Sequence, residues 1–235
     1  MIATHVVPRH VAIIMDGNRR WAKAHGLPLS DGHRQGVEAL RRTVEAAARL
    51  GVEVLTVFAF SEENWSRPVE QTRAIMELCC SAALGQMNDL VRDGVRVRLC
   101  GRLAALPSPT REALDRLCAS TAKNSRITLN LAIDYGGRRE IADAVRALAR
   151  EVERGRLSAS AIDDDTIATR LYTAGLPDPD LVIRTGGERR ISNFLLYQSA
   201  YAEFSWTETL WPDFGDEDLA AAIDDFARRQ RRYGT

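Results

Sequence analysis

Apolar runs of strand length recur along the chain, and segments with a helical spacing of apolar residues separate them. The strand-like runs are HVAIIM (10–15), VEVLTVFAF (52–60), VRVRLCG (95–101), RITLNLAID (126–134) and DLVIRT (180–185). Helical spacing covers residues 36–50, 72–91 and 138–153. Because the strands are continuously apolar and alternate with helices, we predict an α/β fold with a central, mostly parallel sheet flanked by helices.

The length of the chain favours a single domain over residues 1–235. With 235 residues and 45% hydrophobic content, the chain can bury a substantial core. The segment 151–165 is rich in charge and serine, and we expect it to be a surface connection within that domain.

The formal charges cancel, with 32 Lys and Arg against 32 Asp and Glu. The overall balance therefore gives no reason to expect a nucleic-acid partner or an anionic membrane surface, and any basic site must be local. Lys23 and Lys123 are the only lysines, so nearly all positive charge is guanidinium, which suits phosphate. Genome base composition explains most of that bias.

None of the cysteines has the CxxC spacing of zinc or redox sites. Cys79, Cys80, Cys100 and Cys118 are therefore expected to be small core residues. We find neither the charged-then-apolar pattern typical of a signal peptide nor an apolar run of transmembrane length. We expect a cytoplasmic protein, and association with a membrane surface stays open.

Polar loops follow three of the predicted strands, where ligands bind in open parallel sheets. They are DGNRRW (16–21), FSEENWSRP (60–68) and RTGGERRISNF (184–194). In the first loop, Gly17 lets the backbone approach an anion, Asp16 offers oxygens to a hard cation such as Mg²⁺, and Arg20 can pair with the same phosphate. Arg67, Arg184 and Arg190 in the other loops can each form charge-assisted hydrogen bonds with an anion.

Each of these features also has an ordinary structural explanation. DGN is a common turn, and an Asp at a strand end often caps the next helix. Arg67 and Arg190 can form surface ion pairs, His33 can be a structural histidine, and Trp65 can be a hydrophobic plug. The run RRQRRYG (228–234) is expected to be a solvated helix face. The presence of three loops that can bind anions at one sheet edge favours a functional site over these structural explanations. The motifs GxxxxGK[ST] and GxGxxG do not occur, so the usual support for nucleotide binding is missing.

These residues resemble the cis-prenyltransferases, a family typified by undecaprenyl diphosphate synthase. The matching blocks span nearly the whole chain: HVAIIMDGNRRWAKAHG, GHRQG, FAFSEENWSRP, LNLAIDYGGRREI, DLVIRTGGERRISNFLLYQSAYAEF and WPDF. The resemblance implies a cis-prenyltransferase fold with a hydrophobic tunnel and a homodimer. It also implies that isopentenyl diphosphate condenses with an allylic diphosphate, with Mg²⁺ as cofactor. A peripheral membrane contact for product release stays open.

The resemblance also implies a role for individual residues. Asp16 and Glu203 would serve the metal, with the alternative that Glu203 serves the partner's site in the dimer. Asp16, Asn18, His33 and Asn64 would be catalytic. A further set of residues would bind the allylic diphosphate or belong to the loop that closes over the substrates: Gly17, Arg19, Arg20, Trp21, Phe60, Ser61, Trp65 and Arg67. The diphosphate of isopentenyl diphosphate would bind Arg184, Arg190 and Ser192.

Tunnel residues would set the length of the product. Ala59 and the small residues Cys79, Cys80, Ser81, Ala82 and Ala83 on the following helix would leave room for a long chain, with Ile127 near the tunnel floor. Small residues also allow helices to pack closely, so both interpretations stay open. The proton acceptor stays open too: it is either diphosphate or a group near His33 and Asn64.

Two departures from the family pattern bear on the product. Leu29 stands where family members usually carry an Arg that contacts the allylic diphosphate, although Arg19, where many relatives have Gly, can compensate. Gln71 stands where many long-chain members have Glu. We expect an undecaprenyl-type product, and the two departures motivate the alternative, a short-chain or irregular prenyl diphosphate synthase. A non-catalytic partner subunit of a two-component prenyltransferase is the alternative of another class.

Overall fold

A six-stranded parallel sheet forms the centre of the protein, in the order β3-β4-β2-β1-β5-β6. The computed structural model describes residues 6–229. The strands are β1 His10–Ile14, β2 Val54–Ser61, β3 Val95–Cys100, β4 Ile127–Tyr135, β5 Leu181–Arg184 and β6 Glu203–Trp206. All five residues of β1 are buried, as the continuous apolar runs predict for a sheet covered on both faces.

Helices cover the sheet and connect its strands. They are α1 Asn18–Ala24, α2 Leu29–Arg49, α3 Val69–Gly85, α4 Met87–Arg92, α5 Ser108–Thr121, α6 Gly137–Glu153, α7 Asp164–Ala168 and α8 Asp216–Arg228. Short 3₁₀ turns span Glu62–Ser66, Leu103–Ala105, Ala159–Ala161 and Trp211–Asp213. Side chains alternate along β1, so Val11 and Ile13 join the large core with α2, α3, α5 and α8, while Ala12 and Ile14 join a smaller core on the opposite face.

The predicted α/β class and its parallel sheet are confirmed, and the differences concern where helices begin and break. The helix predicted over 36–50 starts at Leu29, because the polar turn LSDGHRQ carries no apolar periodicity although it continues the helix. The segment predicted as one helix over 72–91 is two helices, separated at Gln86. Edge strand β6 mixes polar with apolar residues, and the apolar pattern did not indicate it.

The C-terminal basic run is only partly within the described residues. Arg228 ends α8, and residues 230–234 of that run lie outside the described part of the chain. Within residues 6–229, no helix combines the length and apolar character that a membrane crossing requires.

His10 at the start of β1 gives folding a predictable pH dependence. The residue is 1% exposed, and its ring hydrogen-bonds Thr56 Oγ1 and the Pro177 carbonyl, both at 2.7 Å. Burial lowers the pKa of His10 to about 4, against the opposing effects of the Pro177 carbonyl and the Asp180 carboxylate. The folded protein therefore stays unprotonated where the unfolded chain takes up a proton, so stability is lost as pH falls from 6.5 towards 4, by about 3 kcal/mol.

We expect the melting temperature of the wild type to fall more steeply over this pH range than that of His10→Gln. The variant is less stable at pH 7, and the gap between the two proteins narrows on acidification. Thermal unfolding followed by circular dichroism between pH 7 and pH 4 measures that gap. A gap that stays constant would show that His10 does not contribute to the acid sensitivity.

Candidate active site

The three polar loops meet at the carboxyl edge of the sheet because β2, β1 and β5 are neighbours there. The register pairs Ile14 of β1 with Arg184 of β5 and Ile13 with Val57 of β2. The chain segments that follow these strands therefore emerge side by side, as the sequence predicts.

Asp16 is held by two arginines from different loops. Its Oδ2 accepts from Arg184 Nη2 at 2.9 Å, and its Oδ1 lies 3.1 Å from Arg20 Nη2. The Thr185 hydroxyl accepts from the Asp16 amide at 2.9 Å and donates to the Asp16 carbonyl at 2.6 Å. Arg184 is only 4% exposed, so it contacts the Asp16 carboxylate from the protein interior. The solvent-facing side of Asp16 therefore stays open.

Gly17 turns the chain from β1 into α1. Its φ of 121° lies in the left-handed region, and an added Cβ would be 3.0 Å from the backbone and side chain of Leu210. A side chain at this position would therefore be both strained and crowded.

A pocket of about 640 Å³ opens above Asp16. Its lining consists of Met15, Asp16, Gly17, Asn18, Arg19, Arg20, Lys23, Leu27, Leu29, His33 and Arg67. Four of these residues are cationic and only Asp16 is anionic, so the lining attracts a ligand with more than one negative charge. The pocket brings together every residue predicted around the first loop except Trp21.

His33 and Arg67 are affected by this excess of positive charge. Burial, then Arg67, then Arg19 lower the pKa of His33, so the imidazole is neutral near pH 7. Burial and Arg19 also lower the pKa of Arg67, and Asp16 opposes them. Arg67 lines the pocket and forms no ion pair with any residue of 6–229, so within that range the surface-pair alternative does not apply to it.

The loop after β2 is tied to its surroundings and to itself. Asn64 Oδ1 accepts from the Ser61 amide at 3.2 Å, so the Asn64 side chain faces its own turn. Trp65 Nε1 donates to Asp134 Oδ1 at 2.7 Å, and its ring packs edge-on against buried Phe60 with centroids 5.0 Å apart. Trp65 lines a groove between α3 and α5 instead of the pocket.

In the loop after β5, Arg184 and Ser192 lie together and Arg190 points elsewhere. Arg184 Nη1 donates to Ser192 Oγ at 2.8 Å and to the Arg190 carbonyl at 2.5 Å. The Arg190 guanidinium instead pairs with exposed Glu188 at 2.5 Å. The structure therefore agrees with the ordinary explanation for Arg190, which is a surface ion pair.

Two further predicted residues lie away from the pocket. Trp21 donates to Asp213 Oδ1 at 2.7 Å and stacks on His25, so it faces the protein surface beside α1. Glu203 begins β6, level with Leu181, three residues or about 10 Å before Arg184 on the neighbouring strand. It pairs with Arg229 at 2.9 Å. Within one chain, Glu203 therefore cannot share a metal with Asp16, which corrects that part of the prediction.

An apolar cavity of about 140 Å³ lies beneath the pocket, between α2, α3 and the sheet. Ala59, Cys79, Ala82 and Ala83 line it, together with larger residues such as Leu129 and Leu131 of β4. Ile127 does not line the cavity and belongs to the core beyond Leu129. Cys80 and Ser81 line the outer groove beside α5, so these two small residues do not widen the cavity.

Sequence reasoning missed Thr185, Asp134 and Asn193. Thr185 directly follows Arg184, and Asp134 lies at the end of β4, so the rule that polar residues after strands mark a site could have found both. Asn193 carries no comparable signal, because its contacts depend on the conformation of a long loop.

The donor set at Asp16 is compatible with Mg²⁺. Asp16 is the only carboxylate in the lining of the pocket, and no group of three or more metal-ligating side chains occurs within residues 6–229. Mg²⁺ commonly binds through one or two carboxylates together with substrate phosphates and water. A single carboxylate on the floor of a phosphate-attracting pocket fits that pattern.

Fold and site together define an α/β protein whose anion pocket shares Met15, Asn18 and His33 with a neighbouring apolar cavity. Residues 14–234 match the family model described as "Putative undecaprenyl diphosphate synthase". An isoprenyl transferase from Heliobacterium mobile is 48% identical over 99% of this chain and 90% of its own length. A ditrans,polycis-undecaprenyl-diphosphate synthase, (2E,6E)-farnesyl-diphosphate specific, from Aliivibrio fischeri is 45% identical over 99% of this chain and 91% of its own.

A solved structure agrees with these sequence comparisons. The lavandulyl diphosphate synthase of Lavandula x intermedia, in complex with dimethylallyl diphosphate, superposes with a TM-score of 0.94 and 35% identity, over 97% of this chain and 99% of that one. The chain belongs to the undecaprenyl diphosphate synthase family and is a cis-type prenyltransferase. The resemblance noted in the sequence is thereby confirmed.

Proposed function

We propose that the protein condenses isopentenyl diphosphate with farnesyl or geranyl diphosphate, in the presence of Mg²⁺, to give a cis-polyprenyl diphosphate of undecaprenyl type. One observation carries the proposal: Met15, Asn18 and His33 line both the anion pocket and the apolar cavity. This adjacency supports a substrate whose diphosphate head lies in the pocket and whose hydrocarbon tail enters the cavity, with the reacting carbon between them.

The pocket supports the first bond cleavage. When the allylic carbon–oxygen bond breaks, its electron pair leaves with the diphosphate, and Arg19, Arg20 and Arg67 stabilise the charge that develops. Bound at Asp16, Mg²⁺ would add Lewis-acid neutralisation of the same oxygens. The apolar cavity keeps water from the cationic carbon.

The second substrate would bind at Arg184 and Ser192, whose side chains already lie together. Its double bond supplies the electron pair of the new carbon–carbon bond, and one proton is then lost from the isopentenyl unit. Neutral His33 and the departing diphosphate both remain candidates for the acceptor, since His33 lines the junction where the proton is released. Asn64 would approach only after its turn rearranges, because its amide oxygen is bonded to Ser61.

We also propose a homodimer formed through the β6 edge. β6 is a terminal strand of the sheet, and its Phe204 and Trp206 rings stack at 5.6 Å with only partial burial. Glu203 lies on this strand. In a dimer formed through β6, Glu203 would therefore serve the partner's active site, which is the part of its predicted role that the topology does not exclude. A peripheral membrane contact for product release remains part of the proposal.

The cavity is small for a long product, and this favours the second candidate, a short-chain or irregular prenyl diphosphate synthase. A cavity of about 150 Å³ accommodates a molecule of the size of benzene, and the one beneath the pocket is about 140 Å³. A long chain therefore requires α2 and α3 to move apart. His33, Ile75 and Leu78 line both the cavity and a groove between these helices, which offers a place for that expansion.

The chain lengths of the products separate these candidates. Purified protein is incubated with Mg²⁺, labelled isopentenyl diphosphate and, separately, dimethylallyl, geranyl or farnesyl diphosphate, and products are sized by chromatography and mass spectrometry. We expect long products from farnesyl or geranyl diphosphate. A single short or branched product would support the second candidate. Diphosphate binding without turnover would support a non-catalytic subunit, against which Asp16 and Arg20 in the pocket already argue.

A further inference from the structure

Asn193 joins the loop after β5 to the loop after β2. Its Nδ2 donates to Glu63 Oε1 at 2.9 Å and lies 3.4 Å from Glu62 Oε1. Its Oδ1 accepts from the Arg138 amide at 2.9 Å, at the start of α6. One side chain thus links three segments that are far apart in sequence.

Each linked loop carries candidate substrate contacts close to the link. Ser192, which accepts a hydrogen bond from Arg184, directly precedes Asn193. Glu63 lies in the turn that contains Asn64, and Arg67 follows that turn and lines the anion pocket. If either loop is displaced at Asn193, the candidate substrate contacts Ser192 and Arg67 therefore move with it.

The backbone and packing around the link leave little freedom. Ser192 and Asn193 both have left-handed backbones, with φ of 48° and 64°, which Asn tolerates better than Ser. Glu62 packs so closely on Gly136 that a Cβ there would be 2.6 Å from the Glu62 carboxyl carbon, and it pairs with Arg139 at 3.0 Å. Strain of this kind persists where surrounding contacts impose it and clusters at functional sites.

We propose that Asn193 is a positioning residue that couples occupation of the Arg184–Ser192 site by a diphosphate to ordering of the 61–68 loop over the anion pocket. The inference rests on the proposed function, since the diphosphate is that of isopentenyl diphosphate. A diphosphate that engages Ser192 fixes the adjacent Asn193, whose amide in turn holds Glu63 and the turn that leads to Arg67. Binding at one loop then lowers the entropic cost of ordering the other.

Hydrogen exchange with isopentenyl diphosphate alone tests the coupling without turnover, because no allylic partner is present. In the wild type, we expect the ligand with Mg²⁺ to slow exchange in both 184–194 and 61–68, the latter by about tenfold. In Asn193→Asp, which retains the acceptor for Arg138 but places a carboxylate beside Glu63, only 184–194 is slowed. Asn193→Gly, which tolerates the left-handed backbone, gives the same result if the first variant does not fold.

A second substitution provides a rescue that a general loss of structure would not show. Adding Glu63→Gln to Asn193→Asp reverses donor and acceptor across the link, so protection of 61–68 returns, measured against Glu63→Gln alone. Asn193→Gly is not rescued in this way. Asn88→Asp, the same chemical change at an exposed residue of α4, is the matched control and behaves as the wild type.

Steady-state kinetics provides the second readout. Asn193→Asp raises the KM for isopentenyl diphosphate about tenfold and changes the KM for the allylic substrate much less. Equal protection of 61–68 in wild type and Asn193→Asp overturns the coupling while leaving the proposed function intact. If the ligand protects neither loop in the wild type, the second diphosphate site is wrong and the coupling falls with it.

Discussion

Asp16→Asn is expected to lower the turnover number by about a thousandfold while the protein stays folded. The amide keeps an oxygen for the hydrogen bond from Arg184 but removes the charge that would hold Mg²⁺. We prefer Asn to Ala because truncation would leave Nη2 of Arg184, a residue 4% exposed, without its hydrogen-bond acceptor, which is destabilising for a buried donor. Turnover is measured from labelled isopentenyl diphosphate, with the melting temperature as the check on folding.

The matched control is Asp31→Asn. Asp31 forms an ion pair with Arg34 at 2.6 Å on the surface of α2, outside the anion pocket, so the same chemical change there should leave turnover within about twofold. Near-normal turnover by folded Asp16→Asn would remove Asp16 from the proposed metal site.

Ala59→Leu is expected to shorten the products, because the added atoms project into a cavity of about 140 Å³. Chains that outgrow the reduced space stop earlier, so more than about half of the label should move to products shorter than the main wild-type product. Cys79→Phe fills the same cavity from α3 and should act in the same direction. Product lengths are read by mass spectrometry after incubation with farnesyl diphosphate.

Adjacent residues on α3 supply the control for this prediction. Cys80 follows Cys79 but lines the outer groove and lies 3.6 Å from the Pro109 carbonyl through its sulfur. Cys80→Phe should therefore leave the product lengths unchanged. If Cys79→Phe and Cys80→Phe had the same effect, general disturbance of α3 would explain the shortening, and the cavity would not set the length.

The sheet could be predicted from the sequence because burial on both faces leaves a continuous apolar run. Runs such as HVAIIM identify β1 without any knowledge of its neighbours. Strand β6 has the opposite character: at the edge of the sheet it is only partly buried, so EFSW carries no strong apolar signal. The start of α2 was not predicted for a similar reason, because polar residues extend the helix beyond its apolar stripe.

The candidate site was predictable to the extent that residues adjoin strand ends. Asp16 lies two residues after β1 and Arg184 ends the neighbouring strand β5, so topology alone brings them together. Arg190 lies further along the loop, where its direction depends on local pairing with Glu188. Glu203 shows the limit most clearly: it starts its strand, at the edge opposite Asp16, and only the chain direction of β6 reveals this.

Metal-dependent transfer of isopentenyl units to farnesyl diphosphate is the measurement that tests the central claim most directly. Protein treated with a chelator is assayed with labelled isopentenyl diphosphate and farnesyl diphosphate, before and after Mg²⁺ is restored. We predict no elongated product in the chelated sample and full recovery with Mg²⁺, because charge must be neutralised on the departing diphosphate. Elongation that persists without Mg²⁺, or no elongation with it, would contradict the account.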